Sequence, residues 1–293
     1  MTETKLRNAM AIVSADWLAA NLNDPKLRIY DCTTILGPSS DPSKPYEVQD
    51  GGADYAKGHI PGAAYLDLQG KFSDQDSAFG MTLPDLQTLT QAFADHGVSD
   101  DSHVVIYCRN APPWATRFLW MLHAIGFDNA SFLDGGLKGW IAAGHPIAKG
   151  VESYPPGSLT TTPRPQAFVG REDMLAGINA PTTCTINALG ADVHSGQNDK
   201  YGRAGRIPGS VNAPAASLFD PETMLLRPLG EIAEKLEATG ARPNQRILAY
   251  CGGGIFATLD AFLLYQLGYD QVSVYDNSLS EWAKDPSLPI EVD

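Results

Sequence analysis

The chain has 293 residues, 43% hydrophobic and 19% charged, with 34 acidic against 21 basic side chains and a formal net charge of −13. That length supports one large domain or two ordinary ones. The acidic balance excludes a general nucleic-acid binder and requires any anionic substrate to find a local positive pocket. Four cysteines without CxxC or zinc-type Cys/His spacing give neither a disulfide scaffold nor a metal site. No apolar run approaches the length of a membrane span, and the polar start lacks a secretory signal, so a cytoplasmic protein without membrane attachment is expected.

In chain order, Ile12-Val13-Ser14 leads into Trp17-Leu18, and a strand follows at Leu27–Asp31. Next come the turn Gly58-His59-Ile60-Pro61-Gly62-Ala63, a helix over Leu83–His96 and an apolar strand Val104–Tyr107 ending at Cys108. A helix Trp114–Ile125 is closed by Gly126, and a strand Ala130–Leu133 runs into Asp134-Gly135-Gly136 before Trp140. Lys149 to Pro165, with four prolines, reads as an extended linker. The same order then returns. Phe168-Val169-Gly170 leads into Met174-Leu175, and Thr185-Ile186-Asn187 is a strand. The turn is Gly205-Arg206-Ile207-Pro208-Gly209-Ser210, followed by a helix Leu229–Thr239. A strand Ile247–Tyr250 ends at Cys251, a helix Ile255–Leu267 is closed by Gly268, and a strand Gln271–Tyr275 precedes Asp276-Asn277-Ser278 and Trp282. The offset between copies falls from 156 to 142, so the first copy carries 14 extra residues in its loops. A period this long is a duplicated domain. Alternating strands and helices predict an α/β fold in which each copy is a parallel sheet covered by helices on both faces.

In parallel sheets reactive groups gather beyond the carboxyl ends of strands. Both copies place a cysteine there, but only Cys251 is followed by Gly252-Gly253-Gly254 and then a helix. Such a turn points several N–H groups into one concavity, and the helix terminus adds partial positive charge. A thiol in that cradle is expected to ionise more readily than a free cysteine and to act as a nucleophile. After Cys108 the loop Arg109-Asn110-Ala111-Pro112-Pro113 contains two prolines without N–H donors and makes a poorer cradle. Neither cysteine has the arginine six residues on that a cysteine phosphatase needs, since those positions hold Ala257 and Trp114. Asp134 and Asp276 are expected to fix turns, and Trp140 and Trp282 to anchor cores.

The His59-Ile60-Pro61-Gly62-Ala63 segment, the loop Cys251-Gly252-Gly253-Gly254-Ile255 and the closing Tyr275-Asp276-Asn277-Ser278-Leu279-Ser280-Glu281-Trp282 resemble tandem-domain rhodaneses, the thiosulfate and 3-mercaptopyruvate sulfurtransferases. The resemblance implies a non-catalytic domain at 10–148, a linker at 149–166 and a catalytic rhodanese domain at 167–293. It implies a Cys251 persulfide that takes sulfur from a small-molecule donor and passes it to cyanide or a thiol, with no cofactor. Gly252, Gly253, Gly254, Ile255 and Phe256 match the loop that binds the outer sulfur. Phe256 stands where the family often has a hydroxyl, Asn187 and Leu189 stand where it has Asp and Arg, and Arg206 replaces a histidine. Arg203 and Arg206 are therefore the expected holders of the donor's negative charge. The losses at Leu189 and Phe256 also admit another reading, a non-catalytic rhodanese-like module that binds a protein partner or senses oxidants through Cys251.

Overall fold

The structure is a computed structural model describing residues 4–41 and 45–293. The duplication appears as two five-stranded, all-parallel sheets of identical topology. In the first, β1 (Ile12–Val13), β2 (Leu27–Asp31), β5 (Ala64–Tyr65), β6 (His103–Tyr107) and β7 (Ala130–Leu133) lie in the order β1-β7-β6-β2-β5. In the second, β8 (Phe168–Val169), β9 (Thr183–Asn187), β10 (Val211–Asn212), β11 (Arg246–Tyr250) and β12 (Val272–Tyr275) lie in the order β10-β9-β11-β12-β8. The strand that ends at each cysteine is the central one. Only the first half has a separate antiparallel hairpin, β3 (Thr34–Gly37) with β4 (Glu47–Asp50).

Period-two alternation assigns each strand residue to a face. Ile29, Val105 and Leu133 pack with Leu18, Leu137 and Trp140 on one side of the first sheet. Tyr30, Val104, Ile106 and Phe132 join Leu89, Phe93 and Phe118 on the other. In the second half Leu248, Tyr250 and Tyr275 pack with Met174, Leu279 and Trp282. Ile247, Ala249 and Val274 face Ile232, Leu236 and Phe262. Helices therefore cover both faces of each sheet. Trp140 and Trp282 are the expected anchors, each fully buried with its indole N–H donating 2.8 Å to a proline carbonyl, Pro146 or Pro289. The segment 149–164 has no helix or strand but is fastened to the first half. The Tyr154 hydroxyl donates to Gly62, and Gly157 N–H donates to Ala94.

One apolar cluster runs through both halves, where helix Pro112–Ala124 packs on helix Ala257–Gln266. Asp134 and Asp276 do more than the turn-fixing expected of them. Asp276 accepts the Leu83 N–H at 2.6 Å and Asp134 accepts the Leu226 N–H at 2.8 Å, so each half holds a loop of the other. These reciprocal bonds fix the halves on either side of the space beyond β11.

Candidate active site

Strand β11 delivers Cys251 to the carboxyl edge of its sheet, and bends at 252–256 lead into helix Ala257–Gln266. The loop folds tightly because of what lies beneath it. Ser278 is fully buried, has a φ of +51°, and accepts the N–H groups of Cys251 and Gly254 on its hydroxyl at 3.0 and 3.2 Å. That hydroxyl donates onward to the Tyr275 carbonyl at 2.7 Å. A residue other than glycine with positive φ stores strain, and here it carries the brace of the loop. Gly254, with φ +71°, has no room for a side chain because a Cβ would overlap the Asp276 carbonyl.

A second brace comes from the first half. Arg117, fully buried on helix Pro112–Ala124, donates to the Gly254 carbonyl at 3.0 Å, to Asp276 Oδ1 at 2.6 Å and to the Met81 carbonyl at 2.9 Å. Its guanidinium lies 4.6 Å from the Phe168 ring centre. The Gly254 carbonyl is thereby held on the side of Arg117 and Asp276. The sequence expectation that all amides from Gly252 to Phe256 face the sulfur needs one correction: the Gly254 N–H is spent on Ser278, and Gly254 does not line the cavity. The N–H groups of Gly252, Gly253, Ile255 and Phe256 have no partner among the described residues.

Cys251 opens onto a cavity of about 230 Å³ bounded also by Gly252, Gly253, Ile255 and Phe256. Leu36, Tyr46, Met81 and Trp114 of the first half close it, facing Leu189, Lys200 and Tyr201 of the second. Leu36 lies in hairpin strand β3, and Tyr46 directly precedes β4. Nine of the 14 extra residues of the first copy fall between β2 and Gly58, where this hairpin stands. The inserted length thus supplies a wall of the site. Lys200 is the one cation on that wall among the described residues, its Nζ 5.3 Å from the Tyr201 ring centre and 6.0 Å from that of Tyr46. Burial, with Cys251 nearby, pushes the Tyr46 phenol up to about 12. Burial first, then Tyr46 and Cys251, raises the Tyr201 phenol well above its usual range.

Arg203 and Arg206 are not where the sequence reading put them. All of the Arg203 guanidinium bonds go to backbone carbonyls of Trp282, Ala283, Asp285 and Leu288. Arg206 is 9% exposed and pairs with Glu291 at 2.5 Å and Asp293 at 2.6 Å. Neither lines the cavity. Both tie the C-terminal segment to the second half, away from the cavity, and the buried Arg206 Nε has no partner among the described residues. Asn187 is structural as well: buried, it accepts the Leu189 N–H and lies 3.2 Å from His194 Nδ1.

The mirror position in the first half is closed. Cys108 is buried, as Cys251 is, but it does not line the cavity: its thiol donates to the Ala111 carbonyl at 2.9 Å, and burial pushes it up to about 12. Arg109, where the second loop has Gly252, pairs with buried Asp31 at 3.1 Å and also donates to the Gly58 carbonyl. Trp114 reaches the interdomain cavity and Arg109 does not.

A family model described as a rhodanese-like domain matches residues 14–143 and 191–285. The chain belongs to the rhodanese family. A 3-mercaptopyruvate sulfurtransferase of Escherichia coli strain K12 is 30% identical over 282 residues, covering 95% of this chain and 97% of its own. A thiosulfate sulfurtransferase of Azotobacter vinelandii is 28% identical over 283 residues, covering 97% of each. The crystal structure of SseA from Escherichia coli, of rhodanese fold, superposes with a TM-score of 0.79 at 29% identity over 92% of this chain and 98% of that one. The protein is a sulfurtransferase that moves sulfur from a small-molecule donor to an acceptor, which sets aside the non-catalytic module.

Proposed function

We propose that Cys251 is the nucleophile and sulfur carrier, and that it takes sulfur from 3-mercaptopyruvate in preference to thiosulfate. Residues 167–293 then form the catalytic domain, joined by 149–166 to a domain at 10–148 that does no chemistry but completes the wall. The observation that carries this reading is a single thiol lining an interdomain cavity, beside four loop amides without partners among the described residues. Those amides are donors already aimed when negative charge builds on the outer sulfur. A carboxylate on the donor is matched by the ammonium of Lys200, one charge to one charge. The apolar walls at Leu189 and Phe256 favour a monoanionic organic donor over a dianion.

Sulfur moves in two steps. The Cys251 thiolate bonds to the donor sulfur and the S–C bond breaks, so that pyruvate departs as its enolate and takes up a proton while Cys251 becomes a persulfide. An acceptor thiolate or cyanide then attacks the outer sulfur and returns Cys251 as thiolate. Intact-protein mass after incubation with 3-mercaptopyruvate tests this. The expected result is a gain of one sulfur that cyanide removes and that Cys251→Ser does not show. Absence of any gain from 3-mercaptopyruvate and from thiosulfate contradicts the reading.

A further inference from the structure

The glycines of the loop leave no hydroxyl of their own beside the sulfur, and two phenols fill the space they vacate. A Cβ on Gly252 would overlap the Tyr201 hydroxyl, and a Cβ on Gly253 would lie 3.1 Å from the Tyr46 hydroxyl. Both rings border the cavity that holds Cys251. Their hydroxyls differ in their surroundings. The Ser280 side chain lies beside the Tyr46 phenol and offsets part of the rise that burial gives it. The Tyr201 hydroxyl has no hydrogen-bond partner among the described residues and rests against the glycine adjoining the thiol. A phenol in that position is a protonated donor facing the reacting atoms.

We infer that Tyr201 is a catalytic residue, the proton carrier for donors whose leaving group is carbon. The inference rests on the proposed Cys251 chemistry and goes beyond it by separating classes of donor. With 3-mercaptopyruvate the Cys251 thiolate bonds to the donor sulfur and the S–C bond breaks. The electron pair passes to the departing carbon as the enolate of pyruvate. The two sulfurs are oxidised to the persulfide level and the carbon is reduced. The enolate takes the Tyr201 proton to become pyruvate. The tyrosinate then takes the proton that the donor thiol brought, now on the outer sulfur, and leaves a persulfide anion. The sum consumes no external proton and needs no oxidant. With thiosulfate the leaving group is sulfite, which departs as an anion without protonation, so the same hydroxyl has no proton to deliver.

The test compares wild type, Tyr201→Phe and Tyr46→Phe as full-length proteins in single-turnover loading of Cys251, with persulfide read by mass and pyruvate by product assay. Phenylalanine keeps the ring, and thermal denaturation verifies the fold. Tyr201→Phe is expected to slow loading from 3-mercaptopyruvate by about a hundredfold, with a loss from thiosulfate at least roughly tenfold smaller on the same scale. Inorganic tetrasulfide, whose leaving polysulfide also takes no proton, is the comparator if thiosulfate does not load the wild type. Equal losses with both classes of donor, or a selective loss in Tyr46→Phe and not in Tyr201→Phe, overturn the assignment. A wild type that no donor loads contradicts the Cys251 chemistry itself, so the two failures are distinct.

Discussion

Cys108 and Cys251 end the central strands of two sheets with the same strand order and both are buried, yet only Cys251 lines a cavity, while the Cys108 thiol is turned onto a backbone carbonyl. The strands do not make the difference. In the first half Arg109 is bound to Asp31 and the Gly58 carbonyl, and the Cys108 thiol is turned onto the Ala111 carbonyl. In the second, glycine replaces that arginine, Asn187 replaces the aspartate, and the Tyr201 ring comes up against Gly252 to border the cavity. The floor differs too. Gly136, with φ +53°, lies under Cys108, and Ser278, with φ +51°, lies under Cys251 and adds the hydroxyl that holds two loop amides. Duplication supplied the geometry, and a few side chains at the strand end decide which copy presents its thiol to a cavity.

The largest effect that sharpens this comparison is at the thiols themselves. Cys251→Ser is expected to lose sulfur transfer completely, whereas Cys108→Ser retains it within about twofold, measured as thiocyanate formed from cyanide. Next comes the brace that the first half extends to the second. Arg117→Met leaves Asp276 without its cation and is expected to cost about 3–5 kcal/mol of stability by urea denaturation. Adding Asp276→Asn to Arg117→Met should recover part of that loss, and no recovery would contradict the pairing.

Ser278 offers a smaller and finer test. Ser278→Ala leaves two buried amide donors unpaired, a cost of about 1–3 kcal/mol. Ser278→Gly loses the same bonds but relieves the positive φ, so it is expected to be more stable than the alanine variant by about 1 kcal/mol. Both variants should transfer sulfur more slowly than wild type, because the loop loses its floor. An alanine variant as stable as the glycine one would contradict the strain argument.

The smallest effect concerns Asp260, fully buried on the helix after the loop with neither carboxylate oxygen partnered among the described residues. Burial raises its pKa well above the ordinary carboxylate value. The folded state therefore keeps a proton that the unfolded state releases, and stability falls as pH rises above the usual carboxylate range. Asp260→Leu should stabilise the protein by about 1–2 kcal/mol at neutral pH, with a gain that grows from about pH 4 to about pH 8. Thermal denaturation across that range checks the sign, and a gain that shrinks with pH would refute it.

The duplication, the central strands and the glycine turn after Cys251 were legible in the sequence because each is a local pattern repeated in order. Val104–Tyr107 and Ile247–Tyr250 were each read one residue shorter than the strands they form. What escaped the reading depends on contacts between distant segments. Arg117 lies on a helix of the first half that looks simply apolar, and its target is a carbonyl 137 residues away. Tyr46 enters from an insertion with no counterpart in the second copy. Arg203 and Arg206 were misplaced because nothing local announces that the chain's last residues return to occupy them. Lys200 and Tyr201 stand only a few residues earlier and carry the opposite fate, since their side chains turn toward the thiol.

Peptide mapping of the protein after one equivalent of 3-mercaptopyruvate tests the central claim most directly, because it reads both cysteine loops in one sample. The account predicts the added sulfur on the peptide containing Cys251 and none on the peptides containing Cys32, Cys108 or Cys184. Sulfur on Cys108, with Cys251 unmodified, would contradict it.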